Sequence, residues 1–266
     1  MNIQKVWGMS LKVCTVNIEG DRHLHRWPAV IKAEQPDVVC LQEVFEADME
    51  YIELELGMSG SFFPMMDINQ VNKYHISPRG KWGIALLTNL QVTSPSISES
   101  HLAAVPVLYN GGVSGFYYAK SPKVLPFVLP NDASRVFAVG TVLKDGQEYT
   151  VGTTHFTWSG KGETTDEQRE DLQTFLNVLQ QFPELVFCGD FNAPRGKEIF
   201  SELEKYYTDN LPKEIQTTID LELHYAAPLY LVVDTIFSTP QYQLTNVRTL
   251  QSVSDHNGVV GEVQRV

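Results

Sequence analysis

Residues 185–192 read LVFCGDFN. Leu185, Val186, Phe187 and Cys188 form an apolar run with no polar alternation, as expected of a short strand covered on both faces. The run stops at Gly189 and is followed by an acid and an amide, Asp190 and Asn192. Such residues past a strand are commonly turn-formers, so the segment fixes a buried strand and leaves its polar end open to two readings. Upstream lies the clearest helix of the chain, with Leu172, Phe175, Leu176, Leu179 and Phe182 on one face. Thr165, with Gln168 three residues later, predicts a capping box at its start, and Pro183 closes it.

The same pattern extends outward in both directions. Residues 135–143 and 147–155 are β-branched runs joined through Lys144-Asp145-Gly146, the signal of a hairpin. Strands are expected at 11–18, 38–41 and 82–88, and closing strands at 231–237, 244–253 and 259–263. Short helices are expected at 27–34, with Pro28 in the first turn, at 47–56, ending at Gly57, and at 197–206. The stretch 94–132, rich in Ser, Pro, Gly and aromatics, reads as strands with long excursions whose course stays unresolved. It contains an NGG turn at 110–112 and an FYY run at 116–118, which fits strand and core better than a base-stacking platform or a membrane-touching patch. No repeat, low-complexity tract or linker interrupts the chain. Helices intervene between buried strands, so the expectation is one mixed α/β domain over 1–266.

Composition narrows the function classes. The 266 residues carry 20 Lys+Arg against 32 Asp+Glu, a formal charge of −12, and 43% are hydrophobic. That excludes a disordered polyanion, a collagenous fibre and a disulfide-stapled miniprotein. Proteins that grip long duplexes present basic faces, and no Lys/Arg cluster stands out here, so extended duplex binding is disfavoured. No apolar run approaches the roughly 18 residues of a membrane span. The first eleven residues hold no apolar h-region, so no secretory signal is expected. Cys14, Cys40 and Cys188 are odd in number, lack a CxxC pair and sit in apolar runs. They read as reduced, buried thiols rather than as disulfide or zinc ligands, and favour a cytoplasmic setting.

A positional pattern carries the chemistry. Apolar strands repeatedly end in Asn17, Glu43, His155, Asp190 with Asn192, Asp234, and Asp255 with His256. Each alone has an ordinary structural explanation, but strand ends on one sheet edge converge in space. Glu43, Asp255 and the amide oxygen of Asn17 suit Mg²⁺ or Mn²⁺, which prefer oxygen ligands. Asp190 with Asn192 could hold and deprotonate a water. His256 beside Asp234 can stay protonated, and charged imidazoles stabilise the negative charge that builds up when phosphorus is attacked. The set fits phosphoester hydrolysis.

In order, VNIEG, LQEV, SRVFAVGTV, GTTHFTW, GDFNAP, VDTIF and SDHNGVV resemble the endonuclease/exonuclease/phosphatase superfamily, the deoxyribonuclease I-like fold. The likeness runs from Asn17 to His256. It implies a four-layer α/β sandwich, two packed mixed sheets flanked by helices, with the site at one end of the strands. By the same resemblance Glu43 is the principal metal ligand, helped by Asn17 and Asp255. Asp190 orients or deprotonates water, and Asn192 holds water or phosphate. His256 supported by Asp234, His155 and Arg135 contact the phosphate. VDTIF departs from the commoner pattern, since Thr235 replaces an aromatic and is expected to alter the floor beside Asp234.

The resemblance leaves the substrate open among a phosphorylated small molecule, a lipid headgroup and a nucleic-acid end. An endo- or exonuclease acting on DNA or RNA is one alternative. A catalytically inactive binding or scaffolding member of the fold is another, and the unbroken polar set argues against it. Trp158 is placed either at the site rim, stacking on a ring, or in ordinary packing. Ser159 reads as a turn residue, because no GxSxG elbow exists for a serine hydrolase.

Overall fold

A computed structural model describes residues 10–70, 77–95, 107–119 and 133–266. The first stretch holds β1 (Leu11–Asn17), α1 (Trp27–Glu34), β2 (Val38–Phe45), α2 (Met49–Leu56) and β3 (Ser59–Ile68). Next come β4 (Gly80–Thr88), β5 (Gln91–Thr93), β6 (Val107–Asn110) and β7 (Val113–Ala119). β8 (Arg135–Lys144), β9 (Gln147–His155), α3 (Asp166–Leu179), β10 (Val186–Asp190) and α4 (Glu198–Glu204) follow. β11 (Thr208–Asp209), β12 (Asp234–Ser238), β13 (Tyr242–Leu250) and β14 (Gly258–Arg265) complete the described elements.

The strands form two sheets. One runs β13-β14-β1-β2-β4-β3, the other β11-β12-β10-β9-β8-β7-β6 with β5 on β8. Each sheet is antiparallel except for one central parallel pair, β1 with β2 and β9 with β10. A parallel pair needs a crossover, and α1 and α3 supply them. The capping box at α3 is present: Gln168 N–H donates to Thr165 Oγ1 (3.2 Å) and Thr165 N–H to Gln168 Oε1 (3.4 Å).

Strand alternation then builds four layers. Val13, Val38, Cys40, Val151, Val186 and Cys188 fill the space between the sheets. Their neighbours Cys14, Val39 and Leu41 pack on Trp27, Ile31 and Ile52 of α1 and α2. On the far side Phe137 and Phe187 meet Leu172 and Phe175 of α3 and Phe200 of α4. The architecture is two packed mixed sheets flanked by helices. All three cysteines are unpaired and buried, as expected. The FYY run lies in β7 and is core, with Tyr118 stacked on Phe175 at 4.6 Å between centroids. Among the described residues no helix is long and apolar enough to cross a membrane.

Several boundaries differ from the sequence reading. β3 was not anticipated, because Gly60 and Pro64 interrupt its run; Pro64 sits at a register shift, where a missing N–H is tolerated. The strand at 38–41 extends to Phe45 through a bulge at Glu43, and the 47–56 helix begins as a 3₁₀ turn at Glu46–Asp48. The strand expected at 231–237 starts only at Asp234. The carbonyls of Leu231, Val232 and Val233 are instead taken by Thr218, Arg195 and Phe191 N–H (2.8–2.9 Å). The NGG turn closes the β6–β7 hairpin. The remaining calls on 94–132 fall largely on 96–106 and 120–132, which, like the first nine residues, lie outside the described residues.

Candidate active site

The two parallel pairs place the polar residues. β10 lies between β9 and β12, and the register pairs Asp190 with His155 on one side and with Asp234 on the other. Three of the candidate side chains therefore stand in one row across one sheet. In the facing sheet β1 ends at Asn17 and β2 carries Glu43. Glu43 adopts φ 61° at the bulge between Gln42 and Val44, a left-handed conformation uncommon for a non-glycine residue. The bulge breaks the alternation at Glu43, which lines the cavity above the strand ends. Gln42, one residue earlier, is buried between the sheets. Its Nε2 donates to Thr15 Oγ1 (3.1 Å) and Thr153 Oγ1 (3.0 Å), a polar tie from one sheet to the other beneath the site.

Asn17 joins the two rows. Its NH₂ donates to Glu43 Oε1 (3.0 Å) and to Asp190 Oδ2 (3.1 Å), while its carbonyl oxygen accepts from Glu19 N–H (3.1 Å). The sequence expected that oxygen to be a metal ligand. In the structure one lone pair of that oxygen accepts from backbone, and the NH₂ of the same amide holds two carboxylates at fixed positions. Asp190 Oδ1 accepts from Asn192 N–H (2.8 Å), and the Asn192 side chain donates to Phe156 O (3.0 Å). This tight turn needs Asn192 at φ 49°, which Asn tolerates better than most residues.

The imidazoles differ from each other. His256 Nδ1 lies 2.9 Å from Asp234 Oδ2, with its Nε2 3.9 Å from Asp190 Oδ2. Burial opposes charge on this ring, but Asp234, Asp190 and Asp255 outweigh it and raise the imidazole well above its ordinary range. His155 Nε2 lies 3.4 Å from Asp190 Oδ2 and 3.9 Å from Glu43 Oε1. Burial pushes His155 down to about 3, with Arg135 and His256 adding to the effect against Asp190. The two rings are therefore pushed in opposite directions, His256 toward its charged form and His155 toward its neutral form. Trp82 packs on His155 with ring centroids 5.6 Å apart. Arg135 is buried, borders the cavity and donates from Nη1 to His155 O (3.3 Å).

The carboxylates bear the cost of crowding. Burial and then Asp255 push Glu43 up to about 8. Burial raises Asp255 and Asp234 to about 6, against the pull of His256. Acids held together out of water at this cost are a donor set that fits a divalent cation, and hard oxygens fit Mg²⁺ or Mn²⁺. One ligand atom each from Asp190, Asp234 and His256 lie within 4.8 Å of one another, as do atoms of His224, Asp255 and His256.

Glu43, Asp190, Asn192, Asp255, His155, His256 and Arg135 all border one cavity of about 670 Å³. Asn17 and Asp234 act from behind it, through Glu43, Asp190 and His256. His224 and Glu19 also line the cavity and were missed by the sequence reading. His224 sits in a loop of no periodicity, held by Ala226 N–H donating to its Nδ1 (3.1 Å), which leaves the ring proton on Nε2. No signal short of that loop's course could have found it. Thr235 was expected to alter the floor beside Asp234; its hydroxyl instead donates to Asp209 Oδ1 (2.5 Å).

The family model for the endonuclease/exonuclease/phosphatase family matches residues 14–256. The chain belongs to that family, whose members are generally hydrolases of phosphoester bonds and generally depend on a divalent metal. No curated protein sequence matches it. Among solved structures, an endonuclease/exonuclease/phosphatase from Bacteroides vulgatus is similar at 17% identity, covering 97% of this chain and 100% of that one, with TM-score 0.66. A Bacteroides thetaiotaomicron mannosyl-6-phosphatase is similar at 14% identity, 96% and 100% coverage and TM-score 0.64. The catalytic domain of human Nocturnin with bound sulfate shares 17% identity, 97% and 95% coverage and TM-score 0.61. At these identities the likeness is one of fold.

Proposed function

We propose that the chain is a Mg²⁺- or Mn²⁺-dependent phosphoester hydrolase in which water attacks phosphorus in line. One observation carries the reading: the Asn17 amide ties Glu43 to Asp190 (3.0 and 3.1 Å), joining the acids of one sheet to the acid–imidazole row of the other. Glu43 and Asp255 would hold the cation, and Asn17 would keep Glu43 in place. The cation, when bound, neutralises charge on the phosphoryl oxygens. Asp190, fixed by Asn17 and the Asn192 N–H, orients and deprotonates the attacking water. Asp234 keeps His256 protonated, so that its Nε2–H donates to a phosphoryl oxygen. Arg135, and His155 through its Nε2, flank the same phosphate, and Asn192 borders the water. The unpaired thiols support a reducing, cytoplasmic setting.

Hydrolysis of bis-(p-nitrophenyl) phosphate tests the reading. It should vanish in excess EDTA and return with Mg²⁺ or Mn²⁺. Glu43→Ala should weaken the metal dependence. Turnover undiminished by EDTA would contradict the role of the metal.

A further inference from the structure

The cavity is larger than a phosphate requires, and its remaining wall has a different chemistry. It rises on two loops: one leaves β9 directly after His155, the other enters β12 directly before Asp234. The first contributes Trp158 and Lys161, the second Ile219, Leu229 and Leu231. The two loops meet at Gly162, and the second is braced within itself. Gly162 takes φ +67°, and a Cβ there would lie 2.4 Å from Pro194 Cγ and 3.4 Å from Leu231 Cδ1. Thr217 Oγ1 donates within reach of both Leu229 O (3.1 Å) and Leu231 O (3.2 Å), and Thr218 N–H donates to Leu231 O (2.9 Å). The apolar wall is thus preformed.

Two further features mark this wall as a ligand surface. Ser159 is buried in the cavity lining, and its hydroxyl has no hydrogen-bond partner among the described residues. Buried hydroxyls are rarely left so. Among the described residues the cations that line the cavity are Arg22, which is ion-paired to Glu19, buried Arg135, exposed Lys161 at the rim, and the His256 imidazole. That supply suits one small ligand and falls short of the cationic track a polynucleotide needs. A volume of about 670 Å³ is that of a small-molecule site.

From this geometry we infer that the substrate is a small phosphate ester whose leaving alcohol carries a planar ring, seated on Trp158 between Leu229 and Leu231, with Ser159 bonding a polar atom on it. The inference rests on the phosphoester-hydrolase reading and adds the class of leaving group. An aryl alcohol and a nucleoside share this chemistry, and separate arms of the test tell them apart.

The first measurement is independent of turnover. Calorimetric titration of the wild-type protein, loaded with Mn²⁺, should show phenylphosphonate binding about tenfold tighter than methylphosphonate, as expected for one stacked ring. In Trp158→Ala that ratio should fall toward one, and Ser159→Ala, which leaves the wall intact, should keep it. Equal affinities in the wild type would overturn the inference. The second measurement uses kcat/KM for 2-phenylethyl phosphate against ethyl phosphate and for their methyl diesters. These alcohols differ little in acidity, so a preference reports binding. Ring-bearing esters should be preferred about tenfold, with Trp158→Ala erasing the preference. Adenosine 5′-monophosphate preferred over ribose 5-phosphate identifies the nucleoside source; equality there, with the phenyl preference kept, identifies an aryl alcohol. Equal hydrolysis of ringed and ringless esters would sink the inference while leaving the hydrolase reading intact. No hydrolysis of any ester would sink the hydrolase reading, and the phosphonate ratio would still decide the pocket.

Discussion

The two ends of the cavity contrast in every physical respect. The floor is made of strand ends, is charged and buried, and is held by bonds between side chains from distant parts of the sequence, Asn17 to Asp190 above all. The wall is made of loops, is apolar, and is held largely by backbone bonds and by the close approach of Gly162 to Pro194. If the floor hydrolyses phosphate esters as proposed, the wall is the part that can choose among them. On the proposed reading, reaction and selectivity sit on separable parts of the fold, and mutations in one should leave the signature of the other.

The largest expected effect lies in the floor. Asp190→Asn keeps the size of the side chain but removes the group assigned to the water. Its kcat on bis-(p-nitrophenyl) phosphate should fall by about 10²–10⁴, with substrate affinity kept. A wild-type rate would remove Asp190 from the mechanism. His256→Gln should cost about 10²–10³ in kcat and lower the ring-to-ringless preference little, since the wall is untouched. If that preference collapsed too, floor and wall would not be separable.

The floor was legible in the sequence and the wall, apart from Trp158 as one of two placements, was not, for a physical reason. Strand ends announce themselves, because an apolar run such as VVCL or LVFC must stop somewhere, and the polar residue that stops it is displayed. The register of β9, β10 and β12 then makes convergence automatic. Residues 210–233 offer no such marker: their course is set by contacts such as Thr218 with Val233 N–H (3.0 Å), which no periodicity encodes. The same limit explains why His224 escaped notice and why Leu231 and Val233 were read as strand. Asn17 shows the same limit at finer grain. Its position was visible, but which end of its amide faced the carboxylates depended on the neighbouring Glu19 N–H.

Smaller effects sharpen the contrast. Gln42→Leu strips the tie between the sheets and leaves the Thr15 and Thr153 hydroxyls buried without their partner. Stability to urea should fall by about 2 kcal/mol. The rate should fall far less than in Asp190→Asn. An unchanged midpoint would show that the tie contributes nothing.

A separate effect, on stability and not on rate, concerns pH in the metal-free protein. Burial beside Asp255 raises Glu43 to about 8. The folded state therefore holds a proton that the unfolded chain releases at the ordinary carboxylate range, and stability should decline as pH rises from there through about 8. Thermal melts in EDTA between these limits should show Tm falling with pH, and Glu43→Gln should flatten the slope. A Tm that rises over that window would reverse the assignment.

Titration of Mn²⁺ into EDTA-stripped, dialysed protein by calorimetry reads the convergence of the acids without recourse to any substrate. The wild type should bind the ion saturably at its carboxylates, and Glu43→Gln should weaken that binding at least tenfold, about 1.4 kcal/mol. Equal binding by the two proteins, or no binding by the wild type, would contradict the account.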